Sequence, residues 1–179
     1  MNKFIKYLGI LLFGVMFMSE ASAKAVVVYY SATGTTKLAA LKIALLHNAD
    51  VFEIKPKKAY TTADLDYRDH NSRVCRENKD MSIRDNTLLQ STPANFSEYD
   101  EVFIGYPIWW DTYAWPVDGF LGTNDFTGKK VYPFCTSGGD SIDGSIDTIK
   151  ANYPDLKLME GLRIKSSTSE DEIKAWINQ

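Results

Sequence analysis

Residues 24–30 read Lys-Ala-Val-Val-Val-Tyr-Tyr, an unbroken β-branched and aromatic run of the kind that fills strands covered on both faces. The next two segments narrow the fold further. Ser31 to Thr36 is small and hydroxyl-rich, and Lys37 to Leu46 sets Leu38, Leu41, Ile43, Leu45 and Leu46 among alanines and lysines, which predicts a helix. The alternation then recurs. Val51 to Ile54, Val102-Phe103-Ile104-Gly105, Val131-Tyr132-Pro133-Phe134-Cys135 and Leu156 to Ile164 predict four more strands. Trp115 to Leu121 and Asp143 to Asn152 predict helices between them. Ser169-Glu170-Asp171-Glu172 opens a last helix with its acids at the positive end of the dipole, and Ile173, Trp176 and Ile177 form its apolar side. Strands alternating with helices imply right-handed crossovers between parallel strands. The expected fold is therefore α/β, a three-layer doubly wound sandwich around a five-stranded parallel sheet. Residues 55–86 fit this pattern least. They are polar, with scattered anchors at Tyr60, Leu65, Tyr67, Val74, Met81 and Ile83, and predict a long excursion with some helix.

Composition removes several alternatives. With 45% hydrophobic and 24% charged residues, the chain has too much apolar content for disorder, and its two cysteines are too few for a disulfide scaffold. A net charge of -3 supplies no broad basic surface, so nucleic acid is not an expected partner. Cys135 lies in an apolar strand and reads as a small buried hydrophobe rather than half of a disulfide with Cys75.

The N-terminus carries a location signal. Lys3 and Lys6 precede an apolar run from Leu8 to Met18, and Ala21-Ser22-Ala23 comes after it. That order is expected of a secretory signal peptide, residues 1–23, with cleavage near Ala23. The apolar run falls short of the roughly 20 residues a membrane span needs. No cysteine stands directly after it, at residues 19–24, to take a lipid. Residues 24–179 are expected to form a single domain, exported to a periplasmic or extracellular compartment with no stable membrane anchor.

Three segments should meet at one edge, because ligands of doubly wound sheets bind beyond the carboxyl ends of the strands. Ser31-Ala32-Thr33-Gly34-Thr35-Thr36 places four hydroxyls and one glycine between a strand and a helix start. Free N–H groups and the helix dipole favour an anion there, so the loop suits a phosphate; a hydroxyl-rich cap without ligand is the other reading. Tyr106-Pro107-Ile108-Trp109-Trp110-Asp111-Thr112-Tyr113, with Trp115, gathers three of the four tryptophans past a buried strand. Planar rings there suit stacking on a flat heteroaromatic ligand, or a surface cluster that packs on a helix or a partner. Thr136-Ser137-Gly138-Gly139-Asp140-Ser141 ends the fourth strand, and its glycines let backbone amides come close to a ring edge.

With those segments the chain resembles a flavodoxin over residues 24–179. Ser31-x-Thr33-Gly34-x-Thr36 is similar to the family's FMN phosphate loop. Gly105-Tyr106-Pro107-Ile108-Trp109-Trp110 and Thr136-Ser137-Gly138-Gly139 are similar to loops that border the isoalloxazine in a flavodoxin-like subgroup. The resemblance implies the strand order 2-1-3-4-5 and FMN as cofactor. It implies Ser31, Thr33, Gly34, Thr35 and Thr36 at the phosphate, Pro107, Ile108, Trp109 and Trp110 along the flavin, and Thr136, Ser137, Gly138 and Gly139 at the pyrimidine side. The tyrosine that electron-carrier flavodoxins place after the fourth strand has no counterpart at Thr136 to Ser141.

Other chemistries find less support. Gly139-Asp140-Ser141-Ile142 resembles a GDSL hydrolase block, but both histidines, His47 and His70, precede it, whereas the serine needs a later one. No Cys/His spacing suggests zinc, and Gly128-Lys129-Lys130 lacks the pattern of a P-loop. The expected function is electron transfer, or flavin-dependent reduction of a small acceptor, with a redox protein or that acceptor as partner. A non-redox protein binding another aromatic or phosphorylated ligand is the alternative. Tyr60 and Tyr67 are expected to close over the ring edge.

Overall fold

Successive residues of a strand face opposite sides of the sheet, and here both sides are covered. The computed structural model describes residues 23–179; the expected signal peptide lies, except for Ala23, outside the described residues. Along the chain come β1 (Ala25–Tyr29), α1 (Thr35–His47), β2 (Asp50–Glu53), α2 (Arg73–Lys79), β3 (Glu101–Trp109) and β4 (Thr112–Tyr113). Next are α3 (Pro116–Leu121), β5 (Lys130–Thr136), α4 (Asp143–Asn152), β6 (Lys157–Leu158), β7 (Leu162–Arg163) and α5 (Glu170–Ile177).

Val26 and Val28 of β1 join Val102, Ile104, Val117, Phe120 and Ile149 in the layer under α3 and α4. Val27 and Tyr29 join Ala40, Ile43, Phe103, Ile173 and Trp176 in the layer under α1 and α5. The strand order is β2-β1-β3-β5-β6, with β7 also paired to β5 and all of these pairs parallel. Since β6 and β7 are two pieces of the predicted fifth strand, this is the expected 2-1-3-4-5 arrangement.

The break in that strand has a cause in β5. The carbonyls of Val131 and Cys135 accept from the N–H of Met159 and Ile164, each at 2.8 Å, so residue 133 between them faces the same neighbour. Residue 133 is proline and has no N–H to give. Pairing jumps from Val131↔Leu158 to Phe134↔Leu162, which leaves an extra residue on the outer strand opposite the missing donor.

Two elements differ from expectation. The buried face of α1 is mostly alanine, with Ala39, Ala40, Ile43 and Ala44 against the sheet, while Leu38 and Leu45 are 72% and 82% exposed. Small side chains let the helix sit close to β1, and the leucines are left outside. Likewise the strand predicted around Val102 to Gly105 runs on to Trp109 and turns into β4.

Candidate functional site

The first loop is shaped by one hydroxyl and one glycine. Ser31 Oγ accepts from the N–H of Gly34 at 3.1 Å and of Lys37 at 3.2 Å, which satisfies part of the α1 start. Gly34 has φ 93°, a left-handed backbone that other residues adopt at a cost. Leu38 N–H closes the first helical turn onto Gly34 O at 3.1 Å. The N–H groups of Thr35 and Thr36 have no protein acceptor among the described residues and stand at the positive end of the dipole. Thr33 and Thr35 place their hydroxyls 3.5 Å apart on the exposed side. That donor set holds no lysine or arginine, so an anion would be met by neutral groups.

The tryptophan segment forms a hairpin rather than a loop. Trp109 pairs with Thr112 across a two-residue turn in which Trp110 and Asp111 have φ 46° and 61°. Positive φ at both central positions makes the tight turn that suits strand twist, and it normally calls for Asn-Gly. Each non-glycine residue there costs roughly 1–2 kcal/mol, which the surrounding packing must offset. Trp109 is held edge-on by Tyr30, Tyr60 and Trp115, with ring centroids at 5.7, 5.1 and 5.2 Å. Trp110 stacks on Trp115 at 6.0 Å and remains 43% exposed. Trp115, by contrast, is core, with the Arg84 guanidinium 3.8 Å from its ring centre. Upstream, a side chain at Gly105 would run into the Phe134 ring at 2.1 Å, so glycine is required there by contact.

Thr136 closes β5 and turns its hydroxyl to that of Thr36, 2.8 Å away and buried. The two predicted binding threonines thus join the first loop to the third. Beyond them, Gly139 N–H donates to Ser137 Oγ at 3.1 Å, while Gly138 and Gly139 have open space around them.

Residues 55–90 supply the remaining wall. Lys57 N–H donates to Thr87 O at 2.8 Å and Leu89 N–H to Lys55 O at 2.9 Å, so the excursion leaves and rejoins the sheet through a closed neck. Its interior is ionic. Arg73 Nε donates to Glu77 at 2.6 Å, Nη1 donates to Lys58 O at 2.9 Å, and the guanidinium lies 3.9 Å from the Tyr60 ring centre. Tyr60 in turn donates to Glu77 at 2.5 Å; burial and the Glu77 carboxylate both push its phenol well above the usual range.

These parts enclose a cleft of about 530 Å³, within the range of cofactor sites. Pro107, Ile108, Trp109 and Trp110 form one wall, with Ala32 and Thr33 beside them. Leu65, Tyr67 and Val74 of the excursion line it too, and Asp140 stands at its rim. A second cavity, of about 710 Å³, adjoins it through Ala32, Thr33, Leu65 and Tyr67. Tyr67 lines both spaces, while Tyr60 lines the second and also packs edge-on against Trp109. His47 lies elsewhere, bonded to Glu101 at 2.9 Å at the opposite end of β3. Cys75 and Cys135 are both free thiols. Among the described residues no cluster of His, Cys, Asp and Glu could hold a metal ion, and no helix is long and apolar enough to cross a membrane.

The flavodoxin family model matches residues 24–179. The chain belongs to the flavodoxin family. A crystal structure described as a flavoprotein of Bacteroides eggerthii DSM 20697 is 42% identical, covers 87% of this chain and 96% of its own, and gives a TM-score of 0.81. Another, from Bacteroides uniformis ATCC 8492, is 38% identical over 88% of this chain and 99% of its own, with a TM-score of 0.80. A flavoprotein of Lactobacillus acidophilus NCFM, solved in complex with FMN, shares the fold at 22% identity, covering 87% of this chain and 99% of its own, with a TM-score of 0.69. No curated protein matches.

In this flavodoxin-family chain the residue patterns gave no sign of the wall residues Leu65 and Val74 as site residues, nor of Arg163. The donors of Arg163 go to the carbonyls of Ser137 and Gly139. A lone arginine in a strand carries no pattern that would have singled it out.

Proposed function

We propose that this chain is an exported FMN-binding redox protein. The observation that carries the reading is the meeting, at one sheet edge, of an anion-ready helix start and an aromatic cleft. Thr35 and Thr36 N–H groups and the Ser31, Thr33 and Thr35 hydroxyls would take the phosphate. Trp109 and Trp110 would line the ring, with Pro107 and Ile108 beside them, and the third loop, which reaches the cleft through Asp140, would border the pyrimidine side. Bound FMN would supply electron or hydride transfer, while the chain supplies binding, orientation and electrostatics. No residue at the cleft is needed as a catalytic acid or base. The FMN held by the Lactobacillus flavoprotein supports the same cofactor here.

Residues 24–179 should be titrated with FMN and riboflavin while protein fluorescence is monitored. Tight FMN binding with strong quenching, and much weaker riboflavin binding, is the expected result; binding of neither would leave the non-redox alternative. Should FMN bind, reduction by NADPH alone marks a reductase, and indifference to it marks a carrier. Export is supported by the order of charged, apolar and small residues over 1–23 and by the family match starting at residue 24. N-terminal sequencing of the protein from fractionated cells should begin at Lys24; a retained Met1 in the cytoplasmic fraction would sink that part.

A further inference from the structure

Arg163 lies on β7 and reaches the loop after β5. Its Nη1 donates to Gly139 O at 2.8 Å and its Nη2 to Ser137 O at 3.2 Å, while Nε is enclosed without a partner. In a trans peptide the C=O of one residue and the N–H of the next point in opposite directions. Fixing the Ser137 and Gly139 carbonyls therefore also fixes the Gly138 and Asp140 N–H groups, aimed away from the guanidinium. Arg163 fronts one cavity, with Ser141 and Lys165, and Asp140 lines the aromatic cleft on another side of the same loop. The loop stands between a permanent positive charge and the cleft.

We propose that Arg163 is a positioning residue for the cofactor: it holds the Gly138 and Asp140 amides towards the flavin's pyrimidine side, and its charge makes the bound flavin easier to reduce. This rests on the FMN reading above. Reduction places negative charge on that side of the ring, and a guanidinium behind a thin loop, with two fixed amide dipoles in front of it, favours that charge. Asp140 at the rim acts with the opposite sign. The planar fork matters as well as the charge, since a lysine can replace the charge but not the paired grip on two carbonyls.

The test compares wild-type protein with Arg163→Gln, Arg163→Lys and Asp140→Asn by potentiometry with FMN bound, and by fluorescence titration of the flavin-free forms with FMN and riboflavin. Arg163→Gln should lower the potential and weaken FMN and riboflavin by a similar factor, on the order of tenfold for a lost charge-assisted pair. Arg163→Lys should keep the potential near wild type but weaken both flavins, because the paired grip on the two carbonyls is lost. Asp140→Asn should raise the potential. If wild type and both Arg163 variants share one potential with FMN bound, or all three bind the two flavins equally well, the role of Arg163 is overturned while the FMN reading stands. If wild type binds no flavin, both fall.

Discussion

The Thr36 and Thr136 hydroxyls, a hundred residues apart in sequence, meet at 2.8 Å in the buried angle between the start of α1 and the end of β5. The pair couples the anion loop to the glycine loop. Removing one partner leaves the other buried without a bond, whereas removing both leaves only apolar surface. Thr36→Val and Thr136→Val should each cost about 1–3 kcal/mol in urea unfolding, and the double variant should cost less than their sum. Additive losses would mean that the hydroxyls do not interact.

At Gly34 the constraint is backbone angle, because a side chain there would meet open space at φ 93°. Gly34→Ala should therefore lower stability by about 1–2 kcal/mol. It should also weaken FMN more than riboflavin, since the strain is relieved by turning the Thr35 and Thr36 amides away. Equal losses for both ligands would place the phosphate elsewhere.

Gly105 is a different case. An added methyl overlaps the Phe134 ring, which lies in the packed layer with Trp176. Gly105→Ala should destabilise by about 1–3 kcal/mol, and Phe134→Leu in the same chain should recover part of it in thermal unfolding.

Most of the fold was legible because its signals are local: Val26 to Tyr29 is apolar on both faces, and the caps of α5 sit in its own first turn. The excursion was not. The buried face of α2 is Arg73, Val74 and Glu77, and since two of these three are charged types that predict surface, no apolar period marks the helix. The hairpin tip escaped for a related reason, since Trp110 and Asp111 occupy backbone positions where sequence rules expect Asn-Gly. In the site, residue types showed which loops converge, but not that Thr36 and Thr136 would face each other, nor that Arg163 would arrive from a separate strand.

Burial pushes the Cys135 thiol from its ordinary 9.0 up to about 12, with Arg163 opposing weakly. The fold accepts the neutral thiol, so its stabilising effect is complete below about pH 9 and is lost as pH rises towards 12. Tyr132, held up by burial and by Glu101, acts in the same direction. Unfolding free energy should decline between about pH 9 and about pH 12, and Cys135→Ala should flatten part of that decline. In the native state at about pH 8 an alkylating reagent should modify Cys75 and leave the buried Cys135 untouched until denaturant is added.

The closed neck at residues 55–57 and 87–89 makes the excursion a detachable cassette. Its length and sequence can change without shifting the register of any strand, provided that Tyr60 stays against Trp109 and Arg84 against Trp115. One fold can then be re-fitted for a new reaction partner by exchanging a single contiguous stretch. A chain that joins Lys57 to Thr87 through a short glycine turn should keep its sheet, as read by circular dichroism, but lose stability and flavin affinity as Trp109 and Trp115 give up the Tyr60 and Arg84 contacts.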